Sequence, residues 1–245
     1  MQLCRFVLLE NNDHARSGIF HEHRVYETDG EKAVGIHDLS KIAFLAPLPA
    51  VSSLRCFEPD GSFAYRNAMN YLGPLGEIEL PNGAINVQLR LVAVMKEGGR
   101  SLDLTEAGQA ILGHSLMIGF EIEDVLAEEC AEGKTPVRAY DIPYGIGPFI
   151  TIPDPEKETP ETVNIPIKLI INGETLLETA FQHGGFAAMI EQASKTTPIR
   201  PSDLIAGPCA AHLPLRETEL ARPLRPGDSV MISCEPFGSL RVNLV

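Results

Sequence analysis

The sequence has no tryptophan and only 6% aromatic residues, so it has little material for the platforms that stack nucleic-acid bases. Basic residues are also in deficit. Lys and Arg number 20 against 33 Asp and Glu, a formal charge of −13, and that balance repels phosphate backbones and anionic lipid surfaces. Nucleic acid and membrane are therefore not expected partners. No stretch reaches the ~18 uninterrupted apolar residues of a membrane span, and Met1–Phe6 lacks the basic and then apolar run of a signal peptide. A cytoplasmic location is the expectation. The five cysteines, Cys4, Cys56, Cys130, Cys209 and Cys234, are odd in number and form no close pair. That excludes a zinc knuckle or a Cys-x-x-Cys redox motif and fits reduced thiols. Gly145-Ile146-Gly147 lacks the third glycine of a dinucleotide fingerprint. Nor is there an internal repeat.

What is present is a chain of 245 residues with 44% apolar and 22% charged residues, enough for one large domain or a small one joined to a medium one. The 21 glycines and 19 prolines imply frequent turns around a real core. Short apolar runs at Leu3–Leu9, Ser17–Phe20, Arg24–Tyr26 and Ala33–Ile36, separated by turn residues, predict a small antiparallel β-unit over 1–56. Pro47 and Pro49 close it, and a second domain spans 60–245.

Over Ile85–Met95 the parity is clean. Ile85, Val87, Leu89, Leu91, Ala93 and Met95 share one face, while Asn86, Gln88 and Arg90 point the other way, so one face is core and the other opens on something polar. Asp103 with Glu106 forms a capping-box pattern that predicts a short helix ended by Gly113. His114–Asp124 alternates again and places Gly119, Glu121 and Glu123 on one face. The stretch 154–161 reads as an acidic, proline-broken loop. Asn172-Gly173 centres a hairpin, and Phe186–Ala193 a helix. His21-Glu22-His23 has no third metal ligand nearby and reads as an exposed turn, and His114 as a core histidine.

The C-terminal segment carries Leu224-Arg225-Pro226-Gly227-Asp228 and then Gly238-Ser239-Leu240-Arg241-Val242-Asn243-Leu244-Val245. With Phe44-Leu45-Ala46-Pro47, Gly73-Pro74, Leu80-Pro81, Gly147-Pro148, Ile171–Glu174 and Pro201–Ile205 in order, the chain resembles the fumarylacetoacetate hydrolase family over nearly its whole length. The resemblance implies an α+β, mostly β protein: a mixed β-roll of that family's C-terminal type with a small N-terminal β-unit, commonly a homodimer. It also implies a pocket in which a divalent metal helps small oxo-acids undergo C–C hydrolysis, decarboxylation or tautomerisation.

The family's metal-binding Glu-x-Glu pair aligns with Gln88-Leu89-Arg90, and its third ligand position with Gly119. Hard cations want carboxylate oxygens, and a guanidinium is a permanent positive charge, so no metal and no other cofactor is expected. The family's catalytic lysine falls at Arg138, ahead of Asp141. The lid that supplies a His and Glu dyad is missing, because Arg55–Gly61 runs directly to Phe63. The Gly-Thr-Pro substrate loop reads Ala206-Gly207-Pro208-Cys209.

These departures point to Arg138, Asp141 and Glu121 as the groups for any catalysis, and to Arg90, Gln88, Arg66, Gly207 and Pro208 as substrate-binding residues. Arg90 is expected to pair with Glu121, either as a stand-in for the cation or as plain charge compensation. Cys209 reads as an idle thiol. The expected function is a divergent, metal-independent family member that binds a small carboxylic, oxo- or polyketide-like acid, with isomerisation or cyclisation as its chemistry. Two alternatives stay open: a non-catalytic dimeric scaffold, and a metal-dependent hydrolase, decarboxylase or isomerase with relocated ligands.

Overall fold

Short β-branched runs between turns build a strand-rich chain in the computed structural model, which describes residues 1–11, 14–30, 32–153, 163–183, 185–213, 220 and 222–245. The acidic stretch at 154–161 lies outside the described residues. The N-terminal runs form an antiparallel meander, β1 (Gln2–Leu8), β2 (Arg16–His21), β3 (Arg24–Asp29) and β4 (Lys32–Asp38), and β5 (Ile42–Phe44) returns to β1. A hairpin of β6 (Ser53–Phe57) and β7 (Phe63–Arg66) follows, with two-residue strands β8 (Tyr71–Leu72) and β9 (Glu77–Ile78). Next come β10 (Ile85–Met95), α1 (Leu104–Gln109), β11 (Ile111–Ile122), α2 (Glu123–Ala131) and β12 (Tyr144–Thr151). The chain then runs through β13 (Val163–Ile171), β14 (Glu174–His183), α3 (Phe186–Ser194), β15 (Asp203–Ala206), β16 (Ala211–Leu213), β17 (Ser229–Cys234) and β18 (Gly238–Leu244).

The described strands make two mixed sheets. A 13-stranded sheet runs β4-β3-β2-β1-β12-β11-β10-β15-β6-β7, with β5, β8 and β16 attached beside it, and a 5-stranded sheet runs β14-β13-β17-β18-β9. The β1 to β12 ladder carries the N-terminal meander into the large sheet. No helix among the described residues is long and apolar enough to cross a membrane.

The main core fills the space between the sheets. The odd-numbered face of β10 packs there with Leu116, Ile118 and Phe120 of β11 against Leu169, Val230, Ile232, Leu240 and Val242. On the reverse face of β10, Val92 and Val94 join a second cluster with Met117, Ile146, Leu54 and Leu204. The expectation that this face is open is therefore corrected: every residue of β10 is buried, and on its polar side Arg66 lies against Gln88 while Phe57 and Glu58 lie against Arg90. Asn86, Gln88 and Arg90 occupy the one polar stretch of that covered face.

Capping and turn signals hold where they are local. Asp103 and Glu106 form a complete capping box on α1, and Asn172-Gly173 turns β13 into β14 with both residues at positive φ, as a tight two-residue hairpin requires. Glu22 and His23 also sit at positive φ in a turn, and His114 packs between the rings of Phe186 and Phe237.

Two boundaries differ from the parity reading. α1 ends at Gln109, and Gly113 lies inside β11, where an added Cβ would come within 2.5 Å of the Thr151 carbonyl on β12. β11 ends at Ile122, and Glu123 and Asp124 open α2, where their charge complements the positive end of the helix. Glu123 therefore does not share a strand face with Glu121.

Candidate functional site

The polar stretch of β10 is the floor of the site. Antiparallel register sets Asn86 opposite Glu121, Gln88 opposite Gly119, and Arg90 opposite Met117. Side chains at these positions share one face, so a carboxylate, an amide, a guanidinium and a glycine surface form a row under β6 and β7.

Glu121 is fully buried and accepts hydrogen bonds from Gln88 Nε2 at 2.6 Å and Asn86 Nδ2 at 3.3 Å. Gln88, 2% exposed, uses its other end to accept from Arg66 Nη2. Its single amide thus spans the distance between a guanidinium and a carboxylate. Arg66 closes β7 and is half-buried, and its guanidinium lies 4.2 Å from the centre of the Tyr140 ring. A Cβ placed on Gly119 would lie 3.3 Å from Arg66 Nη1, so the glycine makes room for the cation. Arg66 therefore sits against Gln88 and Gly119, two of the three positions at which the family pattern expects metal ligands.

Arg90 lies further along the strand and is 1% exposed. Its Nη1 donates to the carbonyls of Phe57 (2.7 Å) and Gly207 (3.0 Å), and its Nη2 to Glu58 Oε1 at 2.7 Å. The expected pairing of Arg90 with Glu121 is corrected. Their register partners are four residues apart along the strand, roughly 13 Å, which side-chain parity alone does not reveal. The cation linked to Glu121 is Arg66, through Gln88, while Arg90 holds the start of the β6–β7 turn and the Gly207-Pro208 loop. That loop leaves β15 with Gly207 N donating to Leu91 O at 2.9 Å, which brings its backbone onto β10 beside Arg90.

Arg138 and Asp141 are not gathered with the others. Arg138 lies in a single helical turn, Arg138–Tyr140, with its guanidinium 58% exposed and paired to Glu128 and Glu129 of α2 at 3.3 Å each. Asp141 is exposed at the end of that turn. Tyr140, between them, is the residue that the turn delivers to the site, under Arg66. Burial first, and then the Glu121 carboxylate, hold its phenol above the ordinary value, and Arg66, Glu58 and Arg90 are its other charged neighbours. Deeper in, Tyr144 is 2% exposed, and its hydroxyl has no hydrogen-bond partner among the described residues.

Reading the sequence alone missed Glu58 and Tyr140. Neither lies on a strand with a readable period: one stands just past the end of β6, the other in an irregular turn. The only signals available were Glu58 standing two residues after Cys56 and Tyr140 standing beside the Asp141 of the resemblance.

A divalent cation does not suit this donor set. Gln88 offers one amide oxygen, already used by Arg66. Arg90 is a buried cation, and Gly119 has no side chain. Among the described residues, no group of three or more His, Cys, Asp or Glu side chains is gathered as a metal site.

Comparison with known proteins fits the topology. The family model described as fumarylacetoacetate (FAA) hydrolase C-terminal matches residues 56–245. Among solved structures, 2-hydroxyhepta-2,4-diene-1,7-dioate isomerase from Mycobacterium marinum superposes with a TM-score of 0.79 at 21% identity, covering 100% of this chain and 98% of its own. 5-Carboxymethyl-2-hydroxymuconate delta-isomerase from Mycobacterium smegmatis gives 0.77 at 18%, covering 100% and 99%. Maleylpyruvate hydrolase from Sphingobium sp. SYK-6, in complex with manganese (II) ion and pyruvate, gives 0.74 at 17%, covering 100% and 99%. At these identities the likeness is one of fold. No curated protein matches the chain.

Proposed function

Because the chain belongs to the fumarylacetoacetate hydrolase family, we propose that it binds a small carboxylic or oxo-acid in the cleft of Arg66, Gln88, Arg90, Glu121 and Tyr140, without a resident metal, and isomerises it. The observation that carries this reading is the Arg66 guanidinium, set against Gly119 and Gln88 and stacked on Tyr140. A guanidinium is permanently charged and presents donors in a planar fork that matches a carboxylate or the two oxygens of an α-oxo acid. Held in a partly water-excluded cleft, it stabilises negative charge that develops on a substrate oxygen, the electrostatic part of an enolisation. The fold neighbours named as isomerases of 2-hydroxyhepta-2,4-diene-1,7-dioate and 5-carboxymethyl-2-hydroxymuconate, and the one that holds pyruvate, support a small oxo-acid as the substrate class.

Oxalate, a planar mimic of an enolate, tests the binding step. Calorimetry in the presence of EDTA is expected to show saturable binding that Arg66→Ala weakens by at least about 10-fold, the loss of one charge-assisted contact. Binding that disappears on chelation and returns with added magnesium or manganese overturns the metal-free reading. Absence of saturable binding supports the scaffold alternative. The same reading takes a second copy of the chain as partner, which light scattering checks as twice the monomer mass.

A further inference from the structure

Several groups around the cleft are already committed. Both oxygens of Glu121 are engaged by buried amides, Arg138 faces α2, and Arg90 holds backbone carbonyls and the lid. Two groups differ. Glu58 is 44% exposed and fixed through Oε1 by the buried Arg90, while Oε2 has no hydrogen-bond partner among the described residues. It sits at the start of a tight turn in which Glu58 N donates to Ser62 O at 2.8 Å and Gly61 N donates to Glu58 O at 3.0 Å, so the carboxylate is positioned before any ligand arrives. Tyr140 is half-buried under the Arg66 guanidinium, and its hydroxyl likewise makes no hydrogen bond among the described residues. The two groups are tied to neighbouring positions on one face of β10: Glu58 to Arg90, and Tyr140, through Arg66, to Gln88, two residues and roughly 7 Å along the strand.

We propose that Glu58 and Tyr140 are the proton-transfer pair of this cleft, with Glu58 as the carbon base and Tyr140 as the acid that protonates the carbonyl oxygen of an α-oxo acid held by Arg66. This rests on the acid-binding reading above and goes beyond it by assigning the chemistry to residues outside the family pattern. In the forward step the Glu58 carboxylate takes a proton from C3, and the C–H electron pair becomes the C2–C3 π bond. The C2=O π pair moves onto oxygen, which receives the Tyr140 proton beside the Arg66 charge. Return of the proton from Glu58 to carbon, and of the enol proton to Tyr140, regenerates the ketone. With an unsaturated acid, return to a carbon further along the conjugated system shifts the double bond instead. No oxidant, reductant or activated water is consumed. A phenol is protonated at neutral pH, the state an acid needs, burial raises its pKa further, and the charged groups around it are Glu121, Arg66, Glu58 and Arg90.

The test is deuterium exchange at C3 of pyruvate in D2O, followed by proton NMR with EDTA present and paired with oxalate calorimetry on the same samples. The intact protein is expected to exchange C3 above the buffer rate. Glu58→Gln keeps an acceptor for Arg90 and is expected to lower the exchange rate on the order of 10²-fold, with oxalate affinity changed less than about 3-fold. Glu58→Asp should recover part of the rate, which a purely structural role would not show. Tyr140→Phe keeps the ring under Arg66 and is expected to lose at least about 10-fold in rate with oxalate binding retained. Exchange within about 3-fold of the intact protein in either Glu58→Gln or Tyr140→Phe overturns the pair. Arg66-dependent oxalate binding without any exchange by the intact protein overturns the pair and leaves the acid-binding reading standing. No oxalate binding overturns both.

Discussion

Gln88 offers the sharpest check on how the site is held together, because one buried amide stands between two ionised groups. In Gln88→Leu the volume is nearly kept, so the cost comes from polar groups rather than from a cavity. Glu121 is fully buried and loses its 2.6 Å donor Gln88, while its 3.3 Å bond from Asn86 stays in place. A buried hydrogen bond to a charged group is worth about 1.5–3 kcal/mol. Arg66 is half-buried and loses an acceptor that water replaces in part, so about 1 kcal/mol is the fair figure for that side. The total is about 3 kcal/mol, which for a chain of this size lowers Tm by about 6–12 °C. The assay is urea unfolding of the intact chain, read as a fall in midpoint at constant slope so that the change belongs to the native state. A loss below about 1 kcal/mol would show instead that Arg66 and Glu121 need no intermediary. Gln88→Glu sharpens the sign. It sets a second carboxylate against Glu121, and the pair then shares a proton whose pKa in the folded state is raised. That variant is expected to be least stable at neutral pH and to recover as pH falls toward 5.

Two further predictions concern the scaffold around the site. Asp203→Ala removes the acceptor of Arg55 Nη1 (3.0 Å), Ser53 Oγ (2.8 Å) and Arg200 N (2.9 Å), and strands an Arg55 that is 2% exposed. A loss of about 3–5 kcal/mol by urea unfolding is expected, and one under about 1 kcal/mol would show that water reaches the guanidinium. Asp228 accepts from Arg222 and Asn172, and these contacts, the Arg222 hydrogen bond first, pull its pKa to about 2 from the ordinary 3.8. A depressed carboxylate pKa stabilises the fold above the unfolded value, and that contribution is lost as pH falls from about 4 to about 2. On the order of 2 kcal/mol is involved. Acid unfolding of Asp228→Asn should be flatter through that window, and an unchanged slope would refute the assignment.

Much of the fold was legible because it rests on local rules. The capping box of Asp103 and Glu106, the Asn172-Gly173 turn and the odd-face apolar run of β10 each carry their own geometric cause. Strand ends were less legible. Gly113 reads as a helix stop until the close approach of Thr151 on β12 is known, and the alternation through Glu123 continues past the point where α2 begins. The site shows the same division. Parity correctly sends Gln88, Arg90 and Glu121 toward one polar surface, yet it is silent on offset along the strand, and offset decides that Arg90 finds Glu58 while Glu121 finds Gln88. Arg66 was among the expected binding residues, but its place over Gly119 depends on β7 reaching the β10 to β11 pair through β6 and β15. No single-sequence pattern encodes that contact between segments distant in the chain.

On the proposed reading, a guanidinium in place of a cation also changes which reactions the site can serve. A divalent metal activates bound water and polarises an oxygen at the same time, and C–C hydrolysis needs both. Arg66 can polarise, through a fixed charge and directed donors, but a guanidinium does not lower the pKa of water into the neutral range. No histidine lies between His37 and His114, the stretch in which the family resemblance implies a lid base. Proton transfer between carbon and oxygen asks for less: one base, one acid and a charge beside the developing enolate. The cleft offers Glu58, Tyr140 and Arg66, each held by a contact that does not use the reacting atom: Arg90 on one oxygen of Glu58, the ring face of Tyr140 under Arg66, and Gln88 on one nitrogen of Arg66. On that proposed reading, enolisation and double-bond shift are the reactions the cleft serves, whereas hydrolysis calls for a group that Gln88, Arg90 and Gly119 do not supply.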